Sequence, residues 1–167
     1  RDLRMSRGLG DVYKRQQYER RKKMKLVVIN GPNLNLTGMR SPNVYGTDTL
    51  ETITEELNGY VISCGSELAA FQSNHEGDII DAIHAAMNEF DGIIINPGAY
   101  THYSYAIRDA IEAVGLPTVE VHLSDIHARE PFRAVSVIEP VCIAQICGMG
   151  KQGYIEAAKL LLSRAMN

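Results

Sequence analysis

An α/β fold, with helices covering both faces of a five-stranded parallel sheet, is predicted by three features of this 167-residue sequence. Short apolar runs alternate with longer segments in which apolar residues recur at spacings of three and four. The third run is short and continuously apolar, as expected of a strand covered on both sides. The richest polar loops follow strands one, three and four, at the end of a parallel sheet where ligands bind.

The elements follow in order. Residues 25–29 (KLVVI) form the first strand. A helix over about 49–63 sets Leu50, Ile53, Leu57 and Val61 on one face. Strand two covers 67–72, and helix two about 78–89, with Ile79, Ile80, Ile83, Ala86 and Met87 inward. Strand three, 92–95, is short and wholly apolar. Helix three covers about 103–114 and stops at Gly115, with Pro117 just beyond. Strand four covers 118–123, a turn lies around 129–135, strand five covers about 141–147, and helix four about 155–164. Such β-α alternation implies right-handed crossovers and a three-layer sandwich. Five strands favour the flavodoxin-like order 2-1-3-4-5, whose crevice opens between strands one and three.

Composition narrows the classes. The length suits one domain with a core that needs no disulfide or metal. Nine Lys/Arg against three acids give residues 1–23 a net charge of +6, which leaves −9 for residues 24–167. A basic arm for nucleic acid or a transit peptide would fit that segment. It lacks any helical or strand period, however, and Met24 opens the first strand as an initiator would. Residues 1–23 are therefore expected to be a non-native leader or tail, and residues 24–167 the single folded domain. The acidic body has no basic stripe for nucleic acid. No run reaches the ~18 apolar residues of a membrane span. Cys64, Cys142 and Cys147 form no CxxC pair. They read as buried thiols in a reducing compartment, so a cytoplasmic protein is expected.

The stretch 30–46, NGPNLNLTGMRSPNVYG, is about 17 residues long where strand-to-helix loops usually take roughly 2–6. A solvated connector rarely carries Leu34, Leu36 and Met39 among Asn, Arg and Tyr, so the stretch reads as a functional lid. The loops after strands three and four hold Asn96 and His102, then Glu120, His122, Arg129 and Arg133. Glu120 and His122 stand two apart on a strand and face the same way. A carboxylate beside an imidazole fixes its tautomer and raises its proton affinity, which suits a general acid. The same pair could be a structural hydrogen bond at a strand end. His102 could cap helix three, with Thr101 as its N-cap. His75 and His84 read as structural.

Other chemistries fit less well. Two or three histidines on separate loops are too loose for a metal site, and no metal is expected. Gly148-Met-Gly150-Lys-Gln-Gly153 matches GxGxxG, but only 14 residues follow it, too few for another strand and a ribose-binding acid. Those glycines are expected to form a tight turn with close helix–sheet packing. A binding or signalling module would explain the fold but not the converging polar residues.

The runs GPNLNLTGMRSPNVYG, NPGAYTHYSYAIRDA and VEVHLSDIHAREPFR, with the final GxGxxGY segment, resemble the type II 3-dehydroquinate dehydratases from Met24 onward. That resemblance implies a flavodoxin-like enzyme without cofactor that dehydrates 3-dehydroquinate to 3-dehydroshikimate. It implies Tyr45 as the base, activated by Arg40 with Arg129 adding positive charge. Asn33 would position a water on the enolate, and His122, oriented by Glu120, would be the acid. Asn96 and His102 would meet the carboxylate and its neighbouring hydroxyl, the Leu123 and Ser124 N–H groups the carboxylate, and Arg133 the ring hydroxyls. Asp109 would reach a neighbouring subunit's site, implying a trimer or a dodecamer of four trimers. The chain departs from the family pattern at Thr37, Ser41, Val135 and Val137. The first two bear on lid docking, the others on packing or assembly. The body's lysines, Lys25, Lys151 and Lys159, lie outside the three crevice loops, which disfavours a Schiff-base route.

Overall fold

The computed structural model describes residues 22–39 and 47–166. Arg40 and Tyr45, with Ser41 and most of the basic segment, lie outside the described residues. The sheet comprises β1 (Lys25–Asn30), β2 (Glu67–Gln72), β3 (Gly92–Asn96), β4 (Thr118–His122) and β5 (Ala144–Cys147). All neighbours run parallel in the order β2-β1-β3-β4-β5. The helices are α1 (Leu50–Ser63), α2 (Glu76–Ala86), α3 (Tyr105–Val114) and α4 (Gln152–Ser163).

The strand period of two divides the core into two layers. Leu26, Val28, Ile94, Val119 and Val121 pack with Leu57 and Val61 of α1 and Ala157, Ala158 and Leu161 of α4. Val27, Ile29, Ile93 and Ile95 pack with Ile79 and Ile83 of α2 and Ile107 and Ile111 of α3. Burial at every residue of β3 explains its unbroken apolar run, whereas β4, equally buried, carries Glu120 and His122 among its valines. Among the described residues, no helix is long and apolar enough to cross a membrane. The three cysteines are half-buried rather than buried; burial pushes Cys142 up to about 12 and Cys147 up to about 11.

Several boundaries differ from the periodic pattern, for local reasons. Helix three starts at Tyr105, not 103, because Ser104 caps it by accepting the Ile107 N–H at 3.1 Å. Thr101 and His102 belong instead to a separate 3-10 turn, Gly98–His102. Strand five begins at Ala144, because Pro140 sits in the 3-10 turn Glu139–Val141 and cannot join the ladder. Helix four begins at Gln152, three residues before the expected start, because Gly153 and Tyr154 already belong to its buried face.

β1 has β2 on one side and β3 on the other, so connections diverge there and leave a crevice. At its mouth the backbones nearly touch. The Gly31 N–H donates to the Asn96 carbonyl at 2.7 Å, and a Cβ on Gly31 would stand 2.5 Å from the Pro97 oxygen. At the far edge, Gly148 and Gly150 take φ of 76° and 56°, making the tight turn expected of them. A Cβ on Gly153 would lie 3.3 Å from Val121 Cγ1, so this glycine lets α4 approach the sheet.

Gly31 and Gly59 give a controlled comparison of these constraints. Gly31→Ala is expected to lower stability by about 3 kcal/mol, because rigid backbone blocks the new methyl. Gly59→Ala, in α1 with nothing within 4 Å of the added carbon, is expected to raise it by up to about 1 kcal/mol. Urea unfolding of the two variants reads the difference; equal stabilities would contradict the close approach.

Candidate active site

Glu120 is the least expected residue of the sheet, a carboxylate at 0% exposure inside β4. A buried carboxylate stays ionised only when donors replace its hydration. Four do so. Thr101 donates its hydroxyl to Oε1, as does Ser136 at 2.7 Å, and the His122 Nε2–H reaches the same oxygen at 2.7 Å. Gln145 Nε2 donates to Oε2 at 2.9 Å, from the position opposite Glu120 in the β4–β5 register. Burial opposes ionisation, yet the donors from His122, Thr101 and Ser136 outweigh it and hold Glu120 below its ordinary value. A carboxylate only accepts, so Nε2 of His122 carries the hydrogen and Nδ1 is the nitrogen left for other partners.

His122 lines a cavity of about 170 Å³ at the carboxyl ends of β1, β3 and β4. Asn33, Asn96, His102, Leu123, Ser124, Arg129 and Arg133 line it too, so eight of the residues singled out in the sequence meet in one place. Glu120 lies behind His122 and does not line it. Asp109 does not line it either; it is exposed on α3. His127 is exposed, and its backbone N–H is taken by Asp125 at 3.0 Å.

Each wall is positioned by its own local chemistry. Asn33 has φ 68°, the only left-handed non-glycine among the described residues, a conformation that asparagine tolerates. Its N–H is held by the Asn74 side chain at 3.0 Å, and Tyr100 donates to the Asn74 carbonyl at 3.1 Å. His102 does not cap α3: its Nδ1–H donates to the Val135 carbonyl at 2.7 Å, which leaves Nε2 as the unprotonated nitrogen of the neutral ring. Burial, with the positive charge of Arg133 nearby, holds His102 below its ordinary value. Arg133 pairs with Glu130 at 2.8 Å and lies over the Phe132 ring at 4.8 Å.

The glycine turn at the far edge sets the β4 end. Gly148 N–H donates to the carbonyls of His122 (3.3 Å) and Ser124 (3.0 Å), and Gly150 N–H to that of Leu123 (3.1 Å). Across a trans peptide the N–H points opposite to the preceding carbonyl. The Leu123 and Ser124 N–H groups are thereby turned away from the glycine turn. Two guanidiniums, two amides and two imidazoles around one small cavity suit a compact, oxygen-rich anion. Among the described residues, no three His, Cys, Asp or Glu side chains come together as metal ligands.

Thr101, Ser136 and Gln145 were not singled out as site residues in the sequence. The available signals were weak: Gln145 is a polar residue in an apolar strand, and Ser136 stands among valines. Val135 and Val137, two of the departures from the family pattern, act here through their backbones. The Val135 carbonyl holds His102, and Val137 N–H donates to the Thr101 carbonyl at 2.8 Å.

Known proteins share this arrangement of sequence and fold. The family model described as Dehydroquinase class II matches residues 24–162. The 3-dehydroquinate dehydratase of Bacillus licheniformis is 54% identical over 142 residues, covering 85% of this chain and 95% of the relative. That of Caldicellulosiruptor bescii is 58% identical over 134 residues, covering 80% and 92%. The crystal structure of type II dehydroquinase from Butyrivibrio crossotus has a TM-score of 0.82 at 53% identity, over 83% of this chain and 97% of that one. That from Propionibacterium acnes has a TM-score of 0.81 at 36% identity, over 85% and 99%. By sequence and by fold, this chain belongs to the class II dehydroquinase family.

Proposed function

We propose that the chain dehydrates 3-dehydroquinate to 3-dehydroshikimate through an enolate, with Tyr45 as base and His122 as acid. Family membership supports the overall reaction, the third step of the shikimate pathway or a step of quinate breakdown. The observation that carries the division of roles is the Glu120–His122 pair behind a cavity lined by Arg129 and Arg133. Tyr45 and Arg40 lie outside the described residues; their roles rest on the match to the family's loop motif.

The substrate is a β-hydroxy ketone, so loss of water begins with removal of a proton α to the carbonyl. A free tyrosine, with a pKa near 10, is ionised about once in a thousand at pH 7. A guanidinium beside it lowers that value, by roughly one to three units if it acts as it does on carboxylates, and each unit is worth about 1.4 kcal/mol. Arg40, on the same loop, supplies that charge, and Arg129 adds to it. The Tyr45 phenolate takes the α proton, and the electron pair moves onto the carbonyl oxygen. Asn33 holds a water against the resulting enolate. The pair then returns to expel the β-hydroxyl, which leaves as water with a proton from Nδ1 of His122. Because Nε2 keeps its hydrogen on Glu120, the donor is the imidazolium, stabilised by the carboxylate behind it.

Asn96 and His102 hold the substrate carboxylate and adjacent hydroxyl, the Leu123 and Ser124 N–H groups the carboxylate, and Arg133 the ring hydroxyls. Asp109, exposed on α3, completes the site of a neighbouring copy in a trimer, four of which make a dodecamer.

Tyr45→Phe is expected to lower kcat about a thousandfold while changing substrate affinity little. Ultraviolet absorbance of the conjugated enone reads turnover, without added metal or nucleotide; near-normal kcat would remove Tyr45 as the base. Glu120→Gln keeps an acceptor for Nε2 but removes the charge behind the imidazolium, and is expected to lower kcat about a hundredfold. It also carries a pH signature. Because Glu120 lies below its ordinary value of 4.5, its ionisation stabilises the fold above about pH 4.5 and this is lost as pH falls through the folded value. The stability gap between wild type and Glu120→Gln, measured by urea unfolding, is expected to narrow below pH 4.5. A gap independent of pH would mean that Glu120 is not ionised.

A further inference from the structure

Tyr154 follows the last glycine of the GxGxxG run and is a large polar side chain that the proposed chemistry leaves unused. It is 1% exposed, with its ring among Leu26, Val28 and Ile94 beneath the sheet. Its hydroxyl reaches the mouth of the crevice. There it donates to Asn30 Oδ1 at 2.7 Å and accepts from Asn96 Nδ2 at 3.0 Å. Asn30 and Asn96 are partners in the β1–β3 register, the last residues of the two strands that flank the switch point. One phenol therefore joins both strand ends.

The bonds have a direction. A phenol has one hydrogen, and Asn30 takes it, so towards Asn96 the hydroxyl can only accept. This places Nδ2 of Asn96 on Tyr154, while Oδ1 accepts the Gly98 N–H at 3.2 Å. Flipping the amide would break both bonds at a site 2% exposed. One N–H and one oxygen lone pair of Asn96 remain, and Asn96 lines the cavity whereas Asn30 and Tyr154 do not. Burial pushes the Tyr154 phenol well up, so it keeps its hydrogen throughout the working range.

We infer that Tyr154 is a positioning residue for the reaction: from the dry side of the sheet it fixes the amide of Asn96 in the orientation that meets the substrate. This rests on the dehydratase reading for its kinetic consequence but not for its geometry. A phenylalanine would fill the same space without a hydroxyl to bury, so a purely structural role predicts no kinetic effect beyond stability.

Tyr154→Phe tests this in the full-length protein. KM for 3-dehydroquinate is expected to rise about tenfold, with kcat within about threefold of wild type, because a contact made before and during reaction is loosened. Asn30→Ala, which takes away the hydroxyl's acceptor without touching the cavity lining, is expected to raise KM likewise, and it carries the test if Tyr154→Phe does not fold. Without substrate, exchange of the Asn96 side-chain amide hydrogens, followed by NMR, is expected to quicken about tenfold in either variant. Unchanged KM and unchanged exchange, with only a lower melting temperature, would overturn the inference. If wild type itself proves inactive, the dehydratase reading fails while the exchange comparison still decides the role of Tyr154.

Discussion

A charge buried inside a β-sheet must be repaid locally, and here the repayment organises the site. Glu120 sits in a strand enclosed on both faces, where an unpaired carboxylate would cost several kcal/mol. Its donors come from the turn after β3, the loop before β5, β5 itself and His122. Three separately placed pieces of chain must therefore be correct before the imidazole is correct. Removing a donor would disturb the tautomer of His122 as well as the local fold. Structural and chemical demands coincide on this one carboxylate.

A second polar seam runs on the opposite face of the sheet. Strand alternation sends Glu120 and His122 towards α2 and α3, and Asn30 and Asn96 towards α1 and α4. The His122 seam is closed by Thr101, Ser136 and Gln145, the Asn96 seam by Tyr154. Both deliver a polar group with a specified orientation to the same cavity. Gly31, Gly148 and Gly153 permit the close approaches that bring the seams together.

The layered architecture was readable from apolar periodicity, because strands and helices bury their faces with different repeats; the strand order came from the preference of five-stranded parallel sheets, and the sheet follows it. The Glu120–His122 pair was readable because both belong to one strand, two residues apart. Thr101, Ser136 and Gln145 lie 19, 16 and 25 residues from Glu120, and only the sheet register and loop paths bring them to it. Thr101 was misread as a helix cap because Thr101 and Ser104 both offer a hydroxyl near the start of α3, and local sequence does not choose between them. The GxGxxG run was read correctly as a packing device. Its link to Asn96 through Tyr154 stayed hidden, since a tyrosine on the buried face of a helix looks like core. The chemistry assigned to Arg40 and Tyr45 came from resemblance to a family, not from their spacing.

The central claim is that an ionised Glu120 holds the hydrogen of His122 on Nε2 and leaves Nδ1 for the proton-donor role proposed above. Nitrogen-15 NMR of the His122 ring across a pH titration reads both nitrogens directly. The account predicts that Nε2 stays protonated throughout, while Nδ1 alone gains a proton as pH falls. A neutral ring protonated on Nδ1, with Nε2 bare against Glu120, would contradict it.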